Sequence, residues 1–310
     1  GGSGFVHTYA VNGNQLTLVH KTPVEGVPRA IAPFQGRVLV GIGNALRLYD
    51  LGKKKLLRKC ENKTFPNMVV SINTQGERVY VGDVAESIFF VKYNKTTNSL
   101  VVFADDTHPR WITGVCQLDY DTMAGADKFG NIFVSRLPNE VSDDIDEDPG
   151  GAGSFEHAKL NGAQFKVDEI VQYHVGETVC GLQRATLTPG GADAIVYWTL
   201  YGAIGALQPF LSREDVDFFT HLEMHLRGAA GAREQKNKDS GVAYDHPSIC
   251  GRDQLSFRSY YYPVKDVIDG DLCETFTALD PARQKEIAEE LDRSPGEVAK
   301  KLEDMRNRLL

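Results

Sequence analysis

The sequence is short of the residues that would cross-link it. Its five cysteines, Cys60, Cys116, Cys180, Cys250 and Cys273, are odd in number, widely spaced and never in a Cys-x-x-Cys pair. That argues against a disulfide framework or a zinc site and fits a reducing compartment, cytosol or nucleus. No run of about 18 apolar residues occurs, so no stretch reads as a membrane span. The opening GGSGFVHTYA has neither a basic segment nor an apolar core behind it, and does not read as a signal peptide. A net charge of −8 argues against wrapping nucleic acid with the whole surface and leaves only a local basic patch for such contact. Signatures of phosphate and acyl chemistry are also missing. VGIGNAL (40–46) has Gly41 and Gly43 but no third glycine and no following helix, so it reads as a hairpin turn. There is no GxSxG, P-loop or kinase motif.

What is present comes in two grammars. From residue 5 to about 210 the chain reads as short strands rich in Val, Ile, Leu, Phe and Tyr. They are punctuated by Asn12-Gly13, Gln75-Gly76, Gly130-Asn131 and Pro189 to Gly191, which supply the positive φ that tight hairpins need. These strands repeat. GRVLVGIGNALRLYDL (36–51) aligns with ERVYVGDVAESIFFVKY (77–93) and with DTMAGADKFGNIFVSRL (121–137), putting Gly41, Gly82 and Gly125 in register. A degenerate copy, DAIVYWTLYGAIGALQPF, covers 193–210. Strand-only units at ~40–45 residues predict four-stranded propeller blades. About four are present, fewer than most propellers need for closure, so the reading expects further blades upstream or on another chain.

From Ser212 the pattern turns helical. Ser212 and Asp215 form a capping box ahead of an apolar stripe of Val216, Phe219, Leu222 and Leu226. Asp280-Pro281 opens another helix. Ser294 with Glu297 caps a last one, striped by Val298, Leu302, Met305 and Leu309. Between these, 228–243 is small, polar and without period, and is predicted disordered. The predicted fold is therefore mainly β: a partial WD40-like β-propeller over 1–211 with an acidic insertion at 138–163, then a small α-helical domain over 212–310.

Several stretches invite a chemical reading. His221 and His225 in HLEMH have the spacing for two metal ligands. However, Leu222 stands where a hydrolytic zinc motif needs glutamate, so ordinary surface or partner-facing histidines are the preferred reading. NEVSDDIDED (139–148) places six carboxylates in ten residues, and reads as a solvated, self-repelling loop with no apolar period. Lys53, Lys54, Lys55, Arg58 and Lys59 form the main basic cluster. Without interleaved aromatics it reads as a charged hairpin guarding a blade edge or meeting an acidic protein, in preference to RNA. Phe257, Tyr260, Tyr261 and Tyr262 have the composition of an interface, or of packing onto the chain's own β part. In VIDGDLCETF (267–276), Ile268, Leu272 and Phe276 share a helical stripe. Asp269 and Asp271 then lie at the helix start, where negative charge is favourable, and Gly270 permits a close backbone approach.

HPRWITGVCQLDYDTMAGADKFGNIFVSRLP, YHVGETV, CGRDQLSFRSYYYPVKDVIDGDLCETF and ELDRSPGEVAKKLEDMRNRLL resemble one family closely. It comprises the large β-propeller scaffold subunits of the splicing factor 3b complex of the U2 small nuclear ribonucleoprotein. More loosely, 268–276 is similar to the wider family of the damaged-DNA-binding adaptor and the cleavage and polyadenylation large subunit. The resemblance implies three propellers followed by a helical domain, of which this chain supplies late blades and the helices. It implies no enzymatic activity, no cofactor and a nuclear location. The implied partners are a HEAT-repeat subunit, a very small helical subunit and the protein's own upstream propellers, with RNA contact indirect at most. Two other readings remain: a related adaptor in ubiquitin ligation or 3′-end processing, and a metal-dependent propeller enzyme built around HLEMH.

Overall fold

The computed structural model describes residues 2–147, 162–240 and 264–309. The chain is mainly β and divides into two units. The first comprises 1–170 with 178–182, and the second comprises 171–177 with 183–310.

The chain opens with a two-stranded ribbon, β1 (Gly4–Asn12) and β2 (Gln15–Val24), turned at Asn12-Gly13. The first four-stranded sheet runs β3 (Pro28–Phe34), β4 (Arg37–Ile42), β5 (Ala45–Asp50) and β6 (Leu57–Asn62). The second runs β7 (Val69–Gln75), β8 (Arg78–Asp83), β9 (Ser87–Asn94) and β10 (Ser99–Asp105). The third contains β11 (Ile112–Gln117), β12 (Thr122–Asp127) and β13 (Asn131–Arg136). Helix α1 (Asn139–Glu147) follows, then β14 (Phe165–Lys166), parallel to β10, and β15 (Asp168–His174), the fourth strand of the third sheet. A last sheet orders β16 (Val179–Thr186), β17 (Asp193–Thr199) and β18 (Ile204–Leu207). Successive antiparallel sheets built from consecutive strands form the four-blade, propeller-like arrangement predicted from the repeat.

The alternation along β8 explains how the sheets stack. Val79 and Val81 enter one apolar cluster with Leu39, Leu46 and Leu48 of the first sheet. Tyr80, between them in sequence, enters another with Met123 and Phe133 of the third. Period-two side chains thus feed cores on both faces, and β8 is buried at every position. Each fully buried side chain of this kind stabilises by about 1.5–3 kcal/mol. The three aligned glycines share a reason. A Cβ at Gly41 would strike Val69, one at Gly82 the Ser71 hydroxyl, and one at Gly125 the ring of Phe133. The repeat therefore marks where the second strand of each sheet lies too close to a neighbour for any side chain.

The second unit carries α2 (Arg213–Ser240), α3 (Gly270–Glu274) running into a 3-10 turn (Thr275–Ala278), α4 (Pro281–Glu290) and α5 (Pro295–Leu309). The predicted caps are present. Ser212 Oγ accepts the Asp215 N–H at 3.1 Å, Asp280 accepts that of Arg283 at 3.0 Å, and Ser294 exchanges bonds with Glu297. Phe219, Leu222, Leu226, Val298 and Leu302 are buried in one cluster, while Val216 stays exposed.

The structure corrects three expectations. Residues 139–147 of the acidic run form helix α1, with Ser142 and Ile145 buried, where a solvated loop was expected; 148–161 lie outside the described residues. Residues 228–240 continue helix α2 where disorder was expected, because Ala229, Ala230, Ala232, Arg233, Glu234 and Gln235 favour helix without needing an apolar stripe. Residues 241–243 lie outside the described residues. Finally, a Cβ at Gly270 would meet only open space, so no close backbone approach explains that glycine. Among the described residues, no helix is long and apolar enough to cross a membrane.

Candidate interaction surfaces

The VIDGDLCETF stretch is built as a cap on the helical cluster. Asp269 is 4% exposed and occupies the N-cap of α3: its carboxylate accepts the Leu272 N–H at 3.1 Å. Its own N–H donates to Glu223 on α2 at 3.0 Å. Leu272, Cys273 and Phe276 turn inward against Phe218, Phe219, Ile287 and Val298, and Ile268 packs half-buried beside them. Asp271 is exposed, and Glu274 pairs with Arg306 of α5. Burial pushes the Cys273 thiol up, and the charges of Glu223 and Asp269 push it the same way, so it is a poor nucleophile. Asp269 caps and Glu274 braces, while Asp269 and Asp271 also line an open cavity of the second unit with Glu177.

The basic cluster lies at the bend between β5 and β6. Lys53, Lys54 and Lys55 are exposed there. The bend is tied down by the Leu56 N–H, which donates to Thr22 Oγ1 at 2.8 Å. Arg58 pairs with Glu61 at 3.3 Å, and Lys59 lies 3.9 Å from Asp50. These last two are therefore partly neutralised, and only the lysine triplet projects undiminished charge. β6 is the final strand of its sheet, with Lys59 O accepting from Asn98 Nδ2 at 2.9 Å and Asn62 Nδ2 reaching Leu100 O at 2.8 Å.

His221 and His225 do not share a site. His225 Nδ1 lies 2.6 Å from Glu290 of α4, and His221 is exposed. No group of three metal-ligating side chains occurs among the described residues. Phe257, Tyr260, Tyr261 and Tyr262 lie outside the described residues.

One constellation escaped sequence reasoning. Arg78, the first residue of β8, is 1% exposed and binds α1 from within the first unit. Its guanidinium lies 2.6 Å from Asp121 and 3.0 Å from Asp146, and donates to Ser142 Oγ at 2.9 Å and Ser142 O at 3.1 Å. It also stacks 4.0 Å from the centre of the Tyr120 ring. Burial works against this charge, but the bonds to Asp146 and Asp121 outweigh it and hold Arg78 above its usual range. Val141 and Ile145 join the apolar cluster alongside. The available signal was an arginine opening an otherwise apolar strand, together with Val141 and Ile145 four residues apart inside the acidic run.

Similarity to known proteins places the chain in a family. Residues 1–278 match the family model described as CPSF A subunit region. The chain is 59% identical over 310 residues to "Splicing factor 3B subunit 3" of Danio rerio, covering 99% of this chain and 24% of that protein. It is 55% identical to "Spliceosome-associated protein 130 A" of Arabidopsis thaliana, again over 99% of the chain and 24% of the relative. It is 51% identical over 306 residues to "Probable splicing factor 3B subunit 3" of Dictyostelium discoideum, covering 98% and 23%. The chain thus spans about a quarter of the length of the curated relatives it matches. With most of its length matched and its sheets stacked as the repeat requires, the chain belongs to the family of the CPSF A subunit region.

Proposed function

We propose that this chain is part of a non-catalytic scaffold subunit of pre-mRNA splicing, acting in the nucleus within splicing factor 3b. The observation that carries the reading is identity of 51 to 59% across nearly the whole chain to relatives named for splicing. The geometry supports it. Within each unit, polar side chains such as Asp269, Arg78 and Arg110 are committed to caps and buried ion pairs, which suits that unit to presenting surfaces. Its partners in this reading are a HEAT-repeat subunit that clamps the branch-site helix and a very small helical subunit, with RNA held indirectly. The lysine triplet 53–55 and the exposed Asp271 are candidate contacts, with the tyrosine-rich segment 257–262 a further one.

A related adaptor in 3′-end processing is the second reading, favoured by the description of the matching family model. The two part in one experiment. Full-length tagged protein purified from nuclear extract is expected to bring down the HEAT-repeat subunit in stoichiometric amount, and its depletion is expected to block branch-site recognition. Recovery of polyadenylation factors without the HEAT-repeat subunit would overturn the splicing reading.

A further inference from the structure

At one rim of the third sheet two exposed aromatic rings hold a lysine between them. Trp111 precedes β11 and Phe129 lies in the β12–β13 turn, with 46% and 48% of their surface open. Lys128 Nζ lies 3.5 Å from the centre of the Trp111 ring and 5.0 Å from that of Phe129. Exposed apolar residues scattered singly need no explanation, but these two are adjacent and rigidly held.

The turn is fixed from four sides. Asp127 accepts the N–H groups of Phe129 at 2.9 Å and Asn131 at 3.0 Å. The Lys128 N–H donates to Trp111 O at 3.0 Å, and Thr178 Oγ1 donates to Lys128 O at 2.9 Å. Gly130 closes the turn at φ 85°. Next to Trp111 in sequence, Arg110 is 2% exposed, stacks on Phe133 and is neutralised by Asp106 and Glu169. Those carboxylates are therefore spent, and Lys128 makes no ion pair among the described residues. A partner meets a preformed surface and has little ordering entropy to supply.

We propose that this rim docks a polypeptide segment carrying a carboxylate next to a large apolar side chain. The carboxylate completes the charge on Lys128, and the apolar side chain covers Trp111 and Phe129. Charge complementarity selects an acidic partner, and paired aromatics beside one cation have the composition of an interface hot spot. RNA is disfavoured because a nucleic-acid backbone brings several phosphates to a rim that offers this one lysine. A single lysine on a protein of net charge −8 is also a weak phosphate site.

The inference rests on the scaffold reading, and its test separates the two. A photo-crosslinking phenylalanine derivative is placed at position 129 of the full-length protein, and the splicing assembly is purified and irradiated. The expected adduct is a polypeptide segment with Asp or Glu within two positions of Leu, Ile, Met or Phe. That segment, made as a labelled synthetic peptide, should bind the full-length protein. Lys128→Glu and Trp111→Ala should weaken binding about tenfold or more, while Lys128→Arg keeps it within about twofold. An adduct to RNA, a peptide without a carboxylate, no adduct in an intact assembly, or indifference to Lys128→Glu would overturn the inference. Melting curves unchanged from the parent protein show that the half-exposed variants fold. Failure of the parent protein to enter the assembly would count against the scaffold reading instead.

Discussion

In the first unit a short helix is anchored chiefly by a buried cation; in the second, helices are held by apolar stripes, with charged side chains pairing around them. Helix α1 sits on Arg78, whose contacts to Asp121, Ser142 and Asp146 reach across two sheets' worth of sequence. Helices α2 to α5 instead pack Phe219, Leu222, Leu272, Phe276, Ile287 and Val298 together, with Ser212, Asp269, Asp280 and Ser294 at their starts. The first arrangement suits a short acidic insert that cannot cover enough apolar surface by itself. The second suits segments long enough to carry a stripe of their own. A buried ion pair is costly to break from one side, whereas an apolar cluster loses stability in proportion to the volume removed.

The sharpest way to probe the difference is to remove one anchor from each. Phe276→Ala in the full-length protein is expected to cost about 3–5 kcal/mol. The loss should appear as hydrogen exchange throughout α2 to α5 while amides of β7 to β10 keep their protection. Arg78→Met is expected to cost about 3 kcal/mol, toward the lower end for a buried pair because Asp121 and Asp146 retain some solvent. Its effect should centre on residues 139–147. If α1 amides stay protected in that variant, the arginine is not what holds the helix.

A smaller effect distinguishes one carboxyl in each unit by the sign of its pH response. Burial works against the charge of Asp215 in α2, but Lys301 at 3.0 Å, Arg308 at 3.2 Å and the Ser212 hydroxyl hold its carboxyl below the usual range. Its stabilisation is therefore complete above about pH 4 and is lost as pH falls through the depressed folded value. Asp105 in β10 goes the other way. Burial raises it, in spite of Lys166 and the Ala163 N–H, so its contribution is present in acid and declines as pH rises through that raised value. Asp215→Asn should flatten the acid limb of a stability–pH profile by on the order of 1 kcal/mol, measured by urea unfolding between pH 2.5 and 6. Asp105→Asn should steepen it. The same slope in both variants would show that these carboxyls do not differ as their surroundings require.

Legibility in the sequence followed the same division. The second unit's caps and stripes were readable because a cap reaches three residues and a stripe repeats every three or four. The sheets were readable from their period of two and from glycines 41 and 43 positions apart. Helix α1 was not, because six carboxylates masked the single Val141–Ile145 pair and the balancing charge lay far away. In VIDGDLCETF the N-terminal position of Asp269 was readable, but its second bond, to Glu223, joins residues 46 positions apart. The juxtaposition of Trp111, Lys128 and Phe129 was hidden in the same way.

The sequence by itself determined the change from strands to helices near Ser212, the hairpin turns, the helix starts and the family. All of these rest on interactions between near neighbours in the chain or on a repeated pattern. Only the tertiary structure decided which charges are buried, which carboxylates are neutralised and which aromatic rings stay open. Those outcomes depend on contacts such as Arg78 with Asp121 and Asp146, 43 and 68 positions away. No local period records such distances, because they are set by how one sheet stacks on the next.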